Sequence, residues 1–438
     1  MTQIRCKRIL SYIFIFILFS SMITVSAVVL SNTSNFQTSI DNEYSLKQGG
    51  FLDKEITLSV GDLPYSVVIG DANNDDLLDI VTPNKGDNSI SILLGNSTGG
   101  WEPEIRKSVG QSPSRVDIGD ADNDGLNDIL VSDSSEHKIT IFLGNNAGGW
   151  ESGINKSVGR VPEDVKIGDI NNDSLNDIIV ANRGDDSISI FHWNDSSSDW
   201  DPEITVNLGI SLYYIDLGDV NNDTLNDIVA TDSSNSKISI LLANESGGWN
   251  SEIIRDMNNH PWGVTIGDAN NDGLNDILTA NKLNDNVSIL LQSNTGGWES
   301  EISKVVGNEP QNIKVGDLNN DTYNDIVCSN FQEQDLSIFY WNESISEWND
   351  EEKRDVKSAP YYGIDVGDVN NDGLNEVVTP LGYLDSISIL CWEEDDETPD
   401  GNGNGNGQIP GYPIVIVASI SIISIIALVY KLRKIRYI

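Results

Sequence analysis

Between residues 51 and 392, short apolar stretches alternate with clusters of Gly, Asn, Asp and Ser. The stretches have the length and the β-branched content of β-strands. The first four of them are KEITLSV (54–60), YSVVIGD (65–71), DIVTP (79–83) and SISILLG (89–95). No stretch of this region repeats its apolar residues at helical spacing. The pattern therefore predicts an all-β domain.

One string, G-D-x-[ND]-N-D-x-[LY]-x-[DE]-[IV], recurs seven times. Its first Asp falls at Asp71, Asp120, Asp169, Asp219, Asp268, Asp317 and Asp368, in steps of 49, 49, 50, 49, 49 and 51 residues. Four strands and no helix in each repeat are typical of a propeller blade, so we expect a seven-bladed β-propeller of four-stranded blades. We number the blades by these seven acidic loops. A β-solenoid is the alternative, although its repeats are usually shorter.

The two ends of this region complement each other. Phe51 to Ile56 matches the Trp-x-x-Glu-Ile stretch that follows the third strand of each repeat, and the last repeat stops at ISILCW without such a stretch. We therefore expect the N-terminal strand 54–60 to complete blade seven, which leaves no open edge along the ring. A tryptophan about thirty residues after each of the first six loops is predicted to pack between blades. These are Trp101, Trp150, Trp200, Trp249, Trp298 and Trp348.

The chain is strongly acidic, with 68 Asp and Glu against 26 Lys and Arg and a formal charge of -42. Nucleic acid is excluded as a partner because phosphate binding needs clustered cations. A cation or a basic protein surface is a more suitable partner for a chain with this negative charge. Of the three cysteines, Cys6 lies in the leader, and Cys328 and Cys391 lie in apolar strands of different repeats. We expect both to be buried free thiols, without a disulfide framework.

The two termini predict the compartment. Residues 1–27 combine basic residues with an apolar run and are typical of a signal peptide, with an uncleaved signal anchor as the alternative. Residues 28–50 are expected to be a spacer. Acidic, Gly/Asn-rich residues 393–413 are expected to be a flexible linker, residues 414–430 a transmembrane helix, and residues 431–438 a basic cytoplasmic tail.

These segments predict a single-pass protein of the cell surface with its propeller outside the cell. The Pro-Gly motif, apolar helix and basic end also resemble the sorting signals of archaeal surface proteins. That likeness implies an alternative in which the helix is removed by a sortase-like enzyme and replaced by a lipid.

The acidic loops have the composition of metal sites. In the loop Asp120 to Asp128, oxygen-bearing side chains stand at positions 1, 3, 5 and 9, and the carbonyl of position 7 can join them. Such a set suits a hard cation with six or more oxygen ligands, Ca²⁺ better than Mg²⁺, and the lack of His and Cys disfavours zinc or copper. An EF-hand is excluded because position 12 is Thr82 or Val131 instead of Glu.

These loops resemble the FG-GAP and VCBS repeats found in the propeller of integrin α subunits and in many microbial surface proteins. The likeness covers residues 51–392. It implies calcium, up to seven ions, bound by positions 1, 3, 5 and 9 of each loop. The ligands so implied are Asp71, Asn73, Asp75, Asp79, Asp120, Asp122, Asp124, Asp128, Asp169, Asn171, Asp173, Asp177, Asp219, Asn221, Asp223, Asp227, Asp268, Asn270, Asp272, Asp276, Asp317, Asn319, Asp321, Asp325, Asp368, Asn370, Asp372 and Glu376.

The loops depart from one another at position 6, where Gly relieves a strained backbone. Asp76, Ser174, Thr224 and Thr322 replace that Gly in blades one, three, four and six, so we expect weaker sites there. Blade two, with four carboxylates and Gly125, is predicted to bind most tightly. An Asp/Asn turn without metal is the alternative.

Antiparallel strands place alternate loops on opposite faces. The acidic loops and the Gly-Gly-Trp loops share one face, and the chain leaves blade seven there, so we expect this face to point towards the membrane. The opposite, outer face is predicted to carry aromatic residues around the channel mouth, suited to sugar stacking or to a protein contact. They are Tyr65, Tyr213, Tyr214, Trp262, Tyr361 and Tyr362. Ordinary surface variation is the alternative.

The resemblance implies a calcium-binding adhesion or recognition protein that binds an extracellular protein or glycan through its outer face. We expect no enzymatic activity, because a catalytic site needs unique groups that converge on a cleft. His137, His192 and His260 fall in three different blades. A polysaccharide-acting enzyme of the lyase-like propeller type and a purely structural coat protein remain the alternatives.

Overall fold

The computed structural model describes residues 54–392 except 211, 258–259 and 295–296. The described part forms seven antiparallel four-stranded sheets, which confirms the all-β seven-bladed propeller. It contains no helix long and apolar enough to span a membrane. The predicted leader, spacer, linker, transmembrane helix (414–430) and basic tail lie outside the described residues.

Blades one to six order their strands from the centre outwards in chain order, and blade seven takes its outermost strand from the N-terminal end of the domain. The first strands are Val68–Gly70, Pro113–Gly119, Pro162–Gly168, Leu212–Gly218, Pro261–Gly267, Pro310–Gly316 and Asp365–Gly367. The second strands are Asp79–Asn84, Asp128–Asp133, Asp177–Asn182, Asp227–Asp232, Asp276–Asn281, Asp325–Asn330 and Glu376–Leu381. The third strands are Ser89–Leu93, Lys138–Phe142, Ser187–Phe191, Lys237–Leu241, Asn286–Leu290, Asp335–Phe339 and Ser386–Cys391. The fourth strands are Ile105–Ser108, Ile154–Ser157, Ile204–Asn207, Ile253–Asp256, Ile302–Val305, Glu352–Asp355 and, for blade seven, Lys54–Ser59.

The loops between the blade strands contain short hairpins and 3-10 turns. Five blades carry a hairpin of two-residue strands between strands three and four. These pairs are Gly95–Asn96 with Gly100–Trp101, Gly144–Asn145 with Gly149–Trp150, Trp193–Asn194 with Asp199–Trp200, Ala243–Asn244 with Gly248–Trp249, and Trp341–Asn342 with Glu347–Trp348. Blade five has a single bridge between Gln292 and Trp298 in the same place. Two short 3-10 turns, Ser233–Asn235 and Gly382–Leu384, lie between strands two and three of blades four and seven.

The N-terminal strand closes the ring as the sequence predicts. Lys54 pairs with Cys391 and Ser59 with Ser386, so Lys54–Ser59 is the outer strand of blade seven. The Ser388 hydroxyl donates to the Glu55 carboxylate at 2.7 Å. In blade six the equivalent Ser337 hydroxyl donates to Glu351 at 2.5 Å. The first strand of the domain is therefore bound in the same way as the fourth strand of an ordinary blade.

The core lies between adjacent blades. The second strands are buried along their whole length because both faces meet a neighbouring sheet, which explains their nearly continuous apolar sequences. The recurrent tryptophans pack into these seams: Trp150 of blade two contacts the cluster that contains Val81 of blade one, and Trp249 of blade four contacts the cluster that contains Ile179 of blade three. Their predicted packing role is confirmed.

Both described cysteines are buried and free, as predicted. Burial raises the pKa of the Cys328 thiol well above its usual value and that of Cys391 to about 12. The two thiols are therefore protonated and serve as small apolar side chains at neutral pH.

Carboxylates of the central channel join one first strand to the next. Asp117 of blade two accepts the Ile167 N–H of blade three at 2.9 Å. Asp216 of blade four in turn accepts the Ile266 N–H of blade five at 2.8 Å. Lys166 lies 3.2 Å from Asp216. Burial raises the pKa of Asp117 to about 6. These charged groups therefore form hydrogen bonds and an ion pair between neighbouring blades.

Blade seven closes the outer end of this channel. The acidic loops of blades six and seven are 51 residues apart, so the segment that leads into the first strand of blade seven is longer than in the other blades. The Tyr362 carbonyl on this segment accepts hydrogen bonds from three other blades. The donors are the guanidinium of Arg115, the Tyr214 hydroxyl at 3.3 Å and the Asn312 amide at 3.2 Å. Tyr362 therefore acts as a plug held by blades two, four and six.

The closing strand provides a first prediction. A chain that begins at residue 61 lacks Lys54–Ser59 and exposes the edge of Ser386–Cys391, so we expect a lower Tm and self-association through the open edge. Thermal unfolding and size-exclusion chromatography measure both effects. A chain that begins at residue 54 is the control and should match the longer protein. Equal Tm and equal monomer content for the two chains would contradict the closing role.

Candidate functional site

The seven acidic loops share one backbone conformation. The residue at position 4 is Asn in every loop, and the residue at position 6 is Asp, Ser, Thr or Gly. Both adopt a positive φ, for example Asn74 at 63° and Asp76 at 67° in blade one, and Asn123 at 57° and Gly125 at 89° in blade two. Asn and Gly tolerate this region, whereas the β-branched Thr224, at 71°, is strained there. The conformation agrees with the predicted disadvantage of the loops without Gly.

The carboxylates at positions 1 and 5 accept hydrogen bonds from backbone N–H groups of their own loop. In blade two, Asp120 accepts the N–H groups of Asp124 and Gly125, each at 2.9 Å. Asp124 in turn accepts the Leu126 N–H at 2.9 Å. The same three bonds occur in all seven loops, at 2.7 to 3.2 Å. Carboxylates that are turned inwards in this way share one side of a tight loop.

The carboxylate at position 9 lies beneath the loop and is fully buried in every blade. In blade two, one Asp128 oxygen accepts the Ala121 N–H at 2.8 Å, and the other accepts the Gly144 N–H at the end of strand three at 2.7 Å. Burial, the largest cause, raises the pKa of Asp128 to about 7 and that of Glu376 to about 8. The position 9 carboxylate therefore connects the loop to strand three. Its burial makes the charged form of the carboxylate unfavourable.

The predicted ligands thus fall into two groups. In blade two, positions 1, 3 and 5 converge: oxygens of Asp120, Asp122 and Asp124 lie within 4.8 Å of one another. In blades one and four, the side-chain oxygens of Asn73 and Asn221 at position 3 are buried without a hydrogen-bond partner. A convergent all-oxygen set with unpaired buried acceptors fits a hard divalent cation such as Ca²⁺. Position 9 lies next to this set.

Position 8 carries a contact that the sequence reasoning missed. The Asn side chain there donates to the carbonyl of position 1 in the preceding loop, as in Asn176 to Asp120 at 2.8 Å. Six loops are linked in this way, at 2.7 to 3.1 Å. Blade one has Leu78 instead, at the seam between blades seven and one. The recurrence of Asn was visible in the sequence, but its partner depends on the placement of neighbouring blades.

Loop three has an additional neighbour. His192 Nδ1 lies 3.0 Å from Asp177 Oδ2 and 3.1 Å from Asn171 Nδ2. The hydrogen bond to Asp177 is the largest cause of a raised pKa for His192. The loop motif gives no sign of this contact, since His192 is 15 residues beyond Asp177.

The structure places five of the six predicted aromatic residues, all but Tyr214, together on the outer face, but their ring faces are largely covered. Tyr213 stacks on Trp262 at 4.2 Å, and Tyr65 lies on Tyr362 at 4.5 Å. Lys282 lies 4.3 Å from the Trp262 ring centre, and Lys85 lies 3.7 Å from that of Tyr65. Sugar stacking on these rings is therefore disfavoured.

Tyr214 does not reach the outer surface. It is buried beneath the plug, with the Arg115 guanidinium 4.1 Å from its ring centre. Its hydroxyl bonds the Tyr362 carbonyl. Tyr214 is therefore placed to support the plug and not to contact a ligand.

Blades five to seven add exposed apolar residues that the sequence reasoning missed. Leu283 and Tyr383 are each 65% exposed and Leu384 is 50% exposed. The Tyr361 ring packs against Tyr383 at 5.2 Å and against Phe331 at 5.4 Å. We call these five residues the apolar arc. The equivalent loops of blades one to four carry Lys-Gly-Asp, Ser-Ser-Glu, Arg-Gly-Asp and Ser-Ser-Asn instead.

Comparison with known families agrees with this geometry. A family model described as "FG-GAP-like repeat" matches residues 120–180, 219–279, 270–328 and 317–379, which together are about half of the chain. The chain belongs to the FG-GAP-like repeat family. The matched segments run from one acidic loop into the next, so the FG-GAP-like repeat coincides with the spacing of the loops. No curated protein matches the sequence.

Solved structures share the fold of this FG-GAP-like protein at low sequence identity. BBS1N in complex with ARL6DN has a TM-score of 0.55 at 12% identity, over 78% of this chain and 96% of that one. Virginiamycin B lyase from Staphylococcus aureus has a TM-score of 0.55 at 14% identity, over 77% and 98%. Hydrazine synthase from Kuenenia stuttgartiensis has a TM-score of 0.54 at 9% identity, over 75% and 95%. These likenesses show the fold alone.

The links between loops provide a second prediction. Asn176→Leu copies the Leu78 of blade one and removes the bond to the Asp120 carbonyl. We expect a loss of about 1 kcal/mol in the free energy of unfolding, measured by denaturant titration. Asn146→Leu, at an exposed position of the blade-two hairpin, is the control and should change stability by less than about 0.5 kcal/mol. Equal effects of the two variants would contradict the linking role.

The buried carboxyls provide a third prediction, on pH. Burial raises the pKa of Asp79 and Asp227 to about 6 and that of Asp276 and Asp325 to about 7. The folded protein therefore binds more protons than the unfolded chain between about pH 4 and pH 7, and its stability falls as the pH rises through this window. In excess EDTA we expect Tm to fall from pH 5 to pH 8.

The same titration in millimolar calcium is the control for the pH effect. A cation at the loops offsets the ionised carboxylates, so Tm should depend much less on pH and should exceed the EDTA value at pH 8. A Tm in EDTA that is flat or rising between pH 5 and pH 8 would contradict the prediction.

Proposed function

We propose that this protein is a calcium-binding recognition protein of the cell surface that binds an extracellular partner through its outer face. The observation that carries the proposal is the contrast between the two faces. One face holds seven acidic loops in a common conformation, and the other carries an apolar arc confined to three blades. A coat protein without a partner has no need of such an arc.

Calcium is proposed for the acidic loops. The support is the all-oxygen donor set of positions 1, 3 and 5, the unpaired buried oxygens of Asn73 and Asn221, and the crowding of carboxylates on a chain with a formal charge of -42. Each Ca²⁺ offsets two of these charges and holds the carboxylates of a loop together. Its proposed role is structural: it stabilises the loops that link the blades.

The partner proposed for the outer face is a protein in preference to a glycan. The ring faces of Tyr65, Tyr213 and Trp262 are covered by other rings or by lysines. The exposed part of the face is instead Leu283, Tyr383 and Leu384. Exposed leucine and tyrosine beside packed aromatic rings are typical of protein contacts.

Binding is proposed in preference to catalysis. The three histidines lie apart and do not form a common catalytic site. His137 Nδ1 accepts the Val161 N–H at 3.1 Å, His192 lies at loop three, and the His260 ring stacks on the Trp262 ring with their centres 5.7 Å apart. The channel carboxylates Asp117 and Asp216 are bound to backbone N–H groups of the next blade. The surface location rests on the leader and apolar segment that the sequence predicts.

The apolar arc provides the fourth prediction. The double variant Tyr383→Ser/Leu384→Ser should reduce binding of labelled residues 28–392 to intact cells at least about 10-fold, because contact residues at the centre of an interface carry most of the binding energy. Ile345→Ser is the matched control, since Ile345 is 59% exposed but lies in a loop on the opposite face. Flow cytometry measures the binding.

Treatment of the cells separates the classes of partner. Protease treatment should abolish binding and periodate should leave it unchanged if the partner is a protein. The reverse result would favour a glycan. Full binding by the double variant would contradict the proposed face, and depolymerisation of a polysaccharide by the purified protein would contradict the assignment as a binding protein.

A further inference from the structure

Basic residues recur at one position of the outer face. The residue that follows strand two is Lys85 in blade one, Arg183 in blade three and Lys282 in blade five. The equivalent residues of the other four blades carry no charge and are Ser134, Ser233, Phe331 and Gly382. These three cations on one face contrast with the formal charge of -42 of the whole chain.

Lys85 and Lys282 border a single group of aromatic rings. The Lys85 ammonium lies 3.7 Å from the centre of the Tyr65 ring, and the Tyr65 ring centre lies 4.5 Å from that of Tyr362. The Lys282 ammonium lies 4.3 Å from the centre of the Trp262 ring and 5.7 Å from that of Tyr362. Both cations thus lie at the channel mouth that Tyr362 closes. We call these five residues the lysine patch.

The two lysines of this patch differ from Arg183 in their pairing. Arg183 Nε lies 2.8 Å from Glu163 Oε1 and forms an ion pair. Among the residues that the structure describes, no carboxylate forms an ion pair with Lys85 or Lys282, and their ammonium groups lie on ring faces instead. Glu163 also attracts Lys85, but from beyond ion-pair distance. Glu309 attracts Lys282 in the same way.

Burial makes the charge of both ammonium groups unfavourable in the free protein. Both residues are half-buried, and this burial is the largest cause of a lowered pKa for Lys85 and for Lys282. A carboxylate of a bound molecule replaces the lost solvent and forms a charge-assisted hydrogen bond with each lysine. The lysine patch therefore favours an anionic ligand group.

The apolar arc adjoins the lysine patch. Leu283 of the arc directly follows Lys282 in the chain and is 65% exposed. The Tyr361 ring of the arc lies 5.5 Å from the Tyr362 ring of the patch. A ligand that covers both surfaces needs carboxylates and apolar side chains together. A polypeptide supplies both, whereas an acidic sugar supplies no large apolar side chain.

We propose that the outer face binds an acidic segment of its protein partner, with the carboxylates of the segment paired to Lys85 and Lys282 and its apolar side chains on the apolar arc. The proposal rests on the proposed function and specifies the chemistry of the partner. The chain as a whole is strongly acidic and repels such a segment elsewhere, so the segment is directed to this face.

Fluorescence anisotropy with a defined probe tests the proposal. The probe is a short fluorescein-labelled peptide of Glu and Leu, titrated with the purified protein in millimolar calcium, and a second peptide has Gln in place of Glu. We expect saturable binding of the Glu peptide that weakens as NaCl is added, and binding of the Gln peptide that is at least about 10-fold weaker. Lys85→Gln/Lys282→Gln should weaken binding of the Glu peptide at least about 5-fold, without a change in fold by circular dichroism.

The matched control is Lys107→Gln/Lys304→Gln, which removes the same number of charges from the same two blades. Lys107 and Lys304 are also half-buried beside aromatic rings, 5.0 Å from the ring centre of Phe142 and 5.3 Å from that of Phe339. They lie on the fourth strands, at the outside of the ring. This control protein should bind the Glu peptide as the wild type does.

Four results would overturn the proposal. They are equal binding of the two peptides, an unchanged affinity of the Lys85→Gln/Lys282→Gln protein, equal weakening by the control pair, and no binding of the Glu peptide by the wild type. Dextran sulfate is titrated in parallel. If it binds more tightly than the Glu peptide and depends on the same two lysines, the patch belongs to an acidic glycan and the proposal is also wrong.

Cell binding by the arc variant distinguishes this proposal from the proposed function. If the peptide experiment fails while Tyr383→Ser/Leu384→Ser still reduces cell binding, only the acidic chemistry of the partner is wrong. If that variant binds cells in full, the proposed role of the outer face is wrong. The two failures therefore give different results.

Discussion

The architecture depends on a carboxylate that is buried where each acidic loop meets the second strand of its blade. This side chain, fully buried in all seven blades, bonds the backbone of its own loop and, in the first six, the end of strand three. Burial makes its negative charge unfavourable, as the raised pKa values of Asp128 and Glu376 show. The same residue therefore orders the loop and creates the need for a proton or a cation nearby.

The ordered loops form a larger unit because they touch one another. Asparagine side chains join six of them to the preceding loop, and carboxylates such as Asp117 join neighbouring first strands in the channel. The closing strand Lys54–Ser59 joins the two ends of the domain. Each acidic loop is thus hydrogen-bonded to a neighbouring loop and is not an isolated turn.

The blades are not equivalent in three respects. Tyr362 fills the channel mouth only in blade seven, the apolar arc occupies only blades five to seven, and His192 lies only at loop three. The repeated features explain how the protein is held together. The unrepeated ones distinguish the blades on the outer face and place one histidine beside an acidic loop.

Most of the fold followed from the sequence because its determinants are local and repeat seven times. β-branched stretches predicted the strands, the acidic string predicted the seven loops, and the unmatched stretch at 54–60 predicted the closing strand, which is confirmed. The convergence of positions 1, 3 and 5 that the string predicts is seen in blade two. The contacts of Tyr214, Tyr362 and His192 could not be predicted, because each partner comes from another blade or another strand. The periodicity of the sequence predicts on which face of a strand or blade a residue lies, but it does not predict which distant residue that side chain contacts.

The most direct measurement is a crystal structure of residues 28–392 grown with calcium, with diffraction recorded at a wavelength where calcium scatters anomalously. We expect anomalous peaks among positions 1, 3 and 5, strongest in blades two, five and seven, where Gly125, Gly273 and Gly373 relieve the loop. Well-ordered loops without an anomalous peak in any blade, at millimolar calcium, would contradict it.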